Sequence, residues 1–224
     1  MRVAALISGG KDSALALHRA LQEQFEVKFL VAMIPQREDS WMFHYPNIHL
    51  VDYFAEATGI PLVKEETAAI KEEELKDLKR ALATLDIEGV VSGSIASQYQ
   101  KQRIEKICKE IGIVSITPLW KENQLKLLRE LVRQKFKAII TGVYAQGFDE
   151  GWLGKQIGTC TINSLIDLKC KYHISLIGEG GEYETLVLDA PFFKKRIDLV
   201  EVEKIWKSHS GWLQVKKAHL IAKR

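Results

Sequence analysis

"LISGGKDSALALHR", residues 6–19, decides the fold. The sequence predicts a short apolar strand over 3–7 that stops at Ser8-Gly9-Gly10-Lys11-Asp12-Ser13. Apolar residues then return at Ala14, Leu15, Leu17 and Leu21 with helical spacing. Strand, glycine turn and helix in that order make a phosphate site, because backbone N–H groups and the positive end of the helix face the turn. Gly9 and Gly10 permit close backbone approach and positive φ. Ser8 and Ser13 offer hydroxyls, and Lys11 adds a point charge. Asp12 repels phosphate unless a divalent cation lies between them, so it points to Mg²⁺. The stretch is not a Walker A loop, GxxxxGK[ST]: Lys11 is followed by Asp12, and Ala5 stands where the first glycine belongs. An ordinary turn with a Ser or Asp N-cap is the competing reading. Either way, Lys11 and Asp12 are expected on a solvent-facing turn.

Outward from this loop, strands and helices alternate. The spacing predicts helices over 13–24, 47–58, 72–85 and 99–111, and strands over 27–34, 61–64, 89–92 and 114–116. Gly59 and Gly112 serve as helix stops, and His18, Arg19 and Glu23 are placed on the exposed face of the first helix. This rhythm implies an α/β unit with a parallel sheet covered on both faces, Rossmann-like in outline. Ligands then belong at the carboxyl ends of the strands, where Ser8, Pro35 and Gly93 lie.

The pattern changes near Pro118-Leu119-Trp120. Beyond it come a helix over 123–134, a strand over 138–143, a glycine-rich stretch over 144–160, a helix over 163–172 and β-like alternation to the end. Two domains are expected, 1–120 and a smaller α+β domain over 121–224.

Composition sets outer limits. The 224 residues suit one or two domains, and 46% hydrophobic with 27% charged content is ordinary for a soluble globular chain. A net charge of +3 is too mild to argue for nucleic acid. Cys108, Cys160 and Cys170 show neither CxxC nor zinc spacing, which suits a reducing cytosol, so a cytoplasmic location is expected. There is no signal-peptide pattern, and no apolar run approaches the ~18 residues of a membrane span.

Three further stretches stand out: "FHYPN" (43–47), "SGSIASQYQKQRIEKIC" (92–108) and "GEGGEYETLVLDAPFF" (178–193). Glu179, Glu182 and Glu184 crowd one loop with Gly180 and Gly181. That is either a charged hairpin tip or a carboxylate cluster for ammonium, a cationic substrate or Mg²⁺. Tyr183, Trp152, Trp41 and Tyr99 are aromatic candidates for a cationic substrate, or core and rim residues. His44 suits a phosphate or a substrate, or is a plain loop histidine. Arg103 suits nucleotide phosphate, or pairs with an acid on its helix face.

The hexapeptide Ser8 to Ser13 resembles the PP-loop of the N-type ATP pyrophosphatases, whose ATP-binding domain is HUP-like. With the three further stretches, EGGEYET above all, nearly the whole chain resembles the diphthine–ammonia ligase family, closest to its stand-alone archaeal-type members. The resemblance implies that the loop grips the β- and γ-phosphates of ATP as a leaving pyrophosphate. A carboxylate of the substrate attacks the α-phosphate, giving an adenylylated intermediate. It implies that diphthine on translation elongation factor 2, ATP and ammonium give diphthamide, AMP and pyrophosphate. Under it, 1–120 binds ATP and 121–224 binds the substrate. Ser8, Gly9, Gly10, Lys11, Asp12, Ser13, Ile34, Gly93 and Arg103 become nucleotide-binding candidates, with Asp12 the Mg²⁺ ligand. His44, Tyr99, Gln100, Glu179 and Tyr183 become substrate-binding candidates. Lys11, Asp12, Glu182 and Glu184 become the catalytic ones.

Members of the family often carry an acidic residue where Gly158 stands in this chain's "LGKQIGTC" (153–160), so no catalytic acid is assigned there. No glutaminase pattern is evident, which makes free ammonium the nitrogen source. Neither a membrane nor a stable nucleic-acid partner is expected, and a homodimer is compatible with the sequence. Two other readings remain open: a PP-loop enzyme that modifies tRNA, and a non-catalytic ATP-binding protein. The first, in its thiolating form, wants activated cysteines, and no electropositive cluster lies between Cys160 and Cys170.

Overall fold

The structure is a computed structural model that describes residues 1–35, 47–67 and 73–223. His44 and Trp41, singled out above, lie outside the described residues. The chain divides into two compact units, Met1–Trp120 and Lys121–Arg224.

In the first unit, β1 (Arg2–Leu6), α1 (Lys11–Gln22), β2 (Glu26–Pro35), α2 (Val51–Thr58), β3 (Leu62–Thr67), α3 (Glu73–Ala83), β4 (Gly89–Val91), α4 (Gln98–Ile111) and β5 (Val114–Ile116) follow one another. The strands form a parallel sheet in the order β3-β2-β1-β4-β5. Val3, Ala4 and Ala5 of β1 are buried to within 1%. Burial on both faces is why β1 reads as an unbroken apolar run and not as an alternation. On one face, Ala4, Val31 and Val90 pack under Leu78 and Leu82 of α3 and Ile104 and Ile107 of α4. Gly59 and Gly112 end α2 and α4 with φ of +72° and +78°, the left-handed region that glycine enters without strain. The strand order reverses between β1 and β4, and the carboxyl ends at such a switch point are where an open parallel sheet receives its ligands.

Two expectations about α1 need correction. It starts at Lys11 and not at 13, because Gly10 is still extended and takes the N-cap position. His18 is not on an exposed face but is 7% exposed, and Ala14, Leu15, Ala16, Leu17 and Ala20 are buried with it. A helix at the switch point is covered more broadly than a single stripe. Arg19 donates to the carbonyl of Pro118 at 2.8 Å, while Glu23 is exposed as expected.

The second unit holds α5 (Gln124–Arg133), β6 (Lys137–Val143), α6 (Thr159–Tyr172), β7 (Tyr183–Asp189), β8 (Lys195–Lys207) and β9 (Ser210–Ala222). Its sheet is antiparallel in the order β7-β6-β9-β8. Asn123 caps α5, its side chain accepting from the Lys126 N–H at 3.0 Å. α6 starts at Thr159 and not at 163. Gly158 takes the extended N-cap position, and the Thr161 hydroxyl donates to the Gln156 carbonyl at 2.6 Å. Thr and Asn thus sit inside a helix whose weak apolar periodicity hid its first turn. Within the glycine-rich stretch, a short 3-10 turn Glu150–Trp152 is capped by Asp149, which accepts from the Gly151 N–H at 2.9 Å.

Candidate functional site

The loop between β1 and α1 is shaped by its own side chains. Gly9 has φ +82°, which demands glycine. Gly10 has φ −79° and does not share that conformation, contrary to the expectation for both glycines. The Ser8 N–H donates to Ser13 Oγ at 3.3 Å, and Ser13 Oγ donates to the Gly10 carbonyl at 3.1 Å. Ser8 Oγ lies 3.4 Å from Ser13 Oγ. Among the described residues no side chain caps α1, so a Ser or Asp N-cap does not account for the motif. An α-helix start without a side-chain cap carries N–H donors and partial positive charge suited to an anion.

Lys11 is not solvent-facing: it occupies the first turn of α1 at 3% exposure, its ammonium 3.0 Å from Asp12 Oδ2. Asp12 is 34% exposed, so the pair has one buried and one accessible member.

Gly93 follows β4 and walls this loop. A Cβ there would lie 2.7 Å from the carbonyl carbon of Asp12, 2.7 Å from the Ser13 nitrogen and 2.9 Å from the Asp12 oxygen. No side chain fits, because those atoms are backbone. Ser92 and Ser94 on either side are buried, and the Ser92 N–H is held by the Ile116 carbonyl at 2.9 Å. Gly93, taken from the sequence as a nucleotide contact, is therefore first a contact of the loop itself. Ile34 lies near the end of β2, half-buried opposite Glu66.

At the start of α4, Ser97 accepts from the Gln100 N–H at 3.3 Å. The Arg103 guanidinium stacks on the Tyr99 ring, 3.4 Å from its centroid. A nucleotide candidate, Arg103, and a substrate candidate, Tyr99, thus hold each other one turn apart on the same helix.

In the second unit EGGEYET is not a hairpin tip. It runs from the turn after α6 into β7, where Tyr183 lies opposite Val143 and Glu184 opposite Gly142. Glu182 fastens the turn: Oε1 accepts from the Ser175 N–H at 2.7 Å and Oε2 from the Gly180 N–H at 2.9 Å. Tyr183, taken as a substrate-binding candidate, is 2% exposed with its hydroxyl donating to the Leu176 carbonyl at 2.7 Å. It is a core residue with its polar end satisfied. The half-buried Glu179 donates its N–H to Ser175 Oγ at 3.3 Å. The Tyr144 hydroxyl points to Glu184 Oε2 at 3.5 Å. Tyr144 is 42% exposed, yet partial desolvation and then the Glu184 charge hold its phenol above the ordinary range, so it remains a neutral donor.

Tyr144 and its neighbour Phe148 escaped the sequence reading because they sit in the glycine-rich stretch without periodicity. Trp152, an aromatic candidate, is 7% exposed and meets Phe148 edge to face at 4.9 Å between centroids. Among the described residues no group of three or more His, Cys, Asp or Glu side chains is placed to hold a metal.

Two family models together match most of the chain: the diphthamide synthase N-terminal domain over residues 1–115 and the diphthamide synthase C-terminal domain over 123–221. A diphthine–ammonia ligase from Rattus norvegicus is 38% identical over 220 residues, 88% of this chain and 82% of the relative. One from Mus musculus is 35% identical across 100% of this chain and 94% of its own length. One from Danio rerio is 32% identical across 98% and 96%. Among solved structures, a chain described as a predicted subunit of tRNA methyltransferase from Methanocaldococcus jannaschii covers 88% of this chain with a TM-score of 0.46 and 17% identity. At that score the likeness does not bear on chemistry.

Proposed function

The chain belongs to the diphthamide synthase family, and we propose that it amidates diphthine on translation elongation factor 2. ATP and ammonium are consumed, and AMP and pyrophosphate are released. The observation that carries the nucleotide half is the loop Ser8 to Ser13, seated at the switch point with no side-chain cap on α1 and backed by Gly93. The N–H groups of that helix start and the Lys11 ammonium hold the departing pyrophosphate. Charge stabilised there is charge that develops as the α–β bond breaks.

Mg²⁺ fits this donor set. The accessible Asp12 carboxylate would supply one hard oxygen ligand, and Mg²⁺ is commonly held by one or two carboxylates plus substrate phosphates and water. When bound, it would offset the negative charge of Asp12 and of the phosphates.

Lys11 and Asp12 act on the nucleotide. Ser8 and Ser13 set the loop, and Gly93 presses against it. Arg103, stacked on Tyr99 in the first turns of α4, is assigned to the nucleotide phosphates. The second unit is assigned to diphthine. Glu184 carries the charge there, with Glu179 in the same turn, while Glu182 and Tyr183 shape the turn that presents it. The reaction belongs in the cytoplasm, where elongation factor 2 works.

The test is a single incubation series. Diphthine-bearing elongation factor 2 with ATP, Mg²⁺ and ammonium yields AMP, pyrophosphate and a diphthamide-bearing product. Bulk tRNA in place of the factor yields no AMP. Release of ADP and orthophosphate, or AMP production driven by tRNA, overturns the reading.

A further inference from the structure

Beside the acidic motif the second unit holds a cavity of 410 Å³ lined by Tyr144, Phe148 and Trp206, with Gln146 and His209 also on its wall. The size falls in the range of about 300–1,000 Å³ found for small-ligand sites. Two of the rings are seated on glycines. A Cβ on Gly142 would stand 2.6 Å from the Tyr144 hydroxyl and 2.9 Å from its Cε2, and a Cβ on Gly211 would collide with the Trp206 ring. Gly147, at φ +95°, turns the chain between Tyr144 and Phe148, and Tyr172 fills the space its side chain would need.

The acidic motif touches this wall three times. The Tyr144 N–H donates to the Glu182 carbonyl at 2.9 Å. The Tyr144 hydroxyl lies 3.5 Å from Glu184. The Phe148 ring stands 6.0 Å from the Tyr183 ring. EGGEYET therefore does more than gather carboxylates: two of its side chains support the rings that line the cavity.

From the three rings and the adjoining Glu184 carboxylate we infer that this cavity takes the trimethylammonium group of diphthine. The inference rests on the amidation reading above and names the subsite that reading needs. A quaternary ammonium has no N–H, so carboxylates cannot hold it by hydrogen bonds. The negative faces of aromatic rings can, and a nearby carboxylate adds charge complementarity. In diphthine the carboxyl to be amidated is borne by the carbon that carries the ammonium. Seating the cation therefore fixes the reacting carboxyl two bonds away, an orientation that speeds reaction with an activated phosphate. Gln146 and His209 carry N–H donors suited to that neighbouring carboxyl. The same cavity discriminates against a neutral side chain of equal shape.

The experiment uses the whole chain and two probes of equal shape. Choline and its neutral carbon isostere, 3,3-dimethylbutanol, are titrated while the Trp206 indole N–H is followed by NMR. Choline is expected to shift that resonance at concentrations about tenfold below the isostere, since each ring facing a bound cation is worth about a five- to tenfold change in affinity. Choline affinity, followed by shifts at Tyr144, is expected to fall by about that factor in Trp206→Ala and to be largely kept in Trp206→Phe. Equal response to both probes, or unchanged choline binding in Trp206→Ala, overturns the inference.

A second arm reads the reaction. With diphthine-bearing elongation factor 2, Trp206→Ala is expected to raise the protein substrate's KM about tenfold and leave that of ATP unchanged. Unchanged KM in a variant of an active enzyme overturns the inference and leaves the amidation reading standing. Choline binding by a wild-type chain that performs no amidation overturns that reading and, with it, the identity of the occupant.

Discussion

Gly93 and Asp12 stand so close that a Cβ on the glycine would lie 2.7 Å from the aspartate's carbonyl carbon. The turn after β4 thereby braces the loop after β1. Parallel neighbours at a switch point bring their carboxyl ends together, and glycine lets the two backbones meet.

Gly93→Ala is expected to push the loop away from β4 and weaken ATP binding at least about tenfold, ~1.4 kcal/mol. Gly158→Ala is the matched control: a Cβ there meets nothing within 4 Å and its backbone is extended at φ −137°. Isothermal titration of ATP into both variants checks the pair. Equal affinity in Gly93→Ala and Gly158→Ala would remove the bracing role.

Lys11→Met keeps the volume of a side chain that is 3% exposed and removes only its charge. Turnover is expected to fall about 10²–10³-fold, the cost of losing one preorganised donor at a developing anion. Folding measured by circular dichroism should persist. Asp12→Asn should raise the Mg²⁺ concentration needed for half-maximal rate, read from a metal titration at fixed ATP.

Glu182 and Glu184 should separate by stability. Glu182 accepts two backbone N–H donors, so Glu182→Ala is expected to cost about 1.5–3 kcal/mol in denaturant unfolding and to lose activity with the turn. Glu184 meets the exposed Tyr144 hydroxyl at a long 3.5 Å, so Glu184→Ala should destabilise the fold less than Glu182→Ala does. Its loss is expected in amidation, with ATP affinity kept. Identical destabilisation in the two variants would contradict the division of labour.

Burial pushes the Cys108 thiol up to about 11, offset only in part by its polar surroundings. Cys160 and Cys170 are exposed. Alkylation at pH 8 should label Cys160 and Cys170 in the native protein and reach Cys108 only after unfolding. The folded state favours the protonated thiol. Its contribution is therefore full below the ordinary value of 9.0 and is lost as pH rises from there toward about 11. Unfolding midpoints across that window, compared with Cys108→Ala, measure the effect.

The α/β rhythm was legible because each element carries its own period and stop. The apolar run of β1, the glycines after α2 and α4, and the asparagine before α5 are local signals with local causes. Helix starts were less legible. α1 and α6 both begin from an extended glycine, at residues that do not follow the apolar stripe. The candidate site divides in the same way. SGGKDS is contiguous, so its role as a phosphate turn can be read from six residues in order. EGGEYET is contiguous too, yet the parts its residues play depend on neighbours far along the chain.

By itself, then, the sequence determined the parallel α/β unit, the anion loop and the family likeness, because propensity, periodicity and short motifs act over a few residues at a time. Tertiary structure alone decided that Lys11 is buried, that Gly93 braces the loop, and that Glu182 spends both oxygens on backbone. It alone gathered Tyr144, Phe148 and Trp206 around one cavity. Burial and close approach are properties of pairs distant along the chain, and those pairs exist only once the sheets have formed.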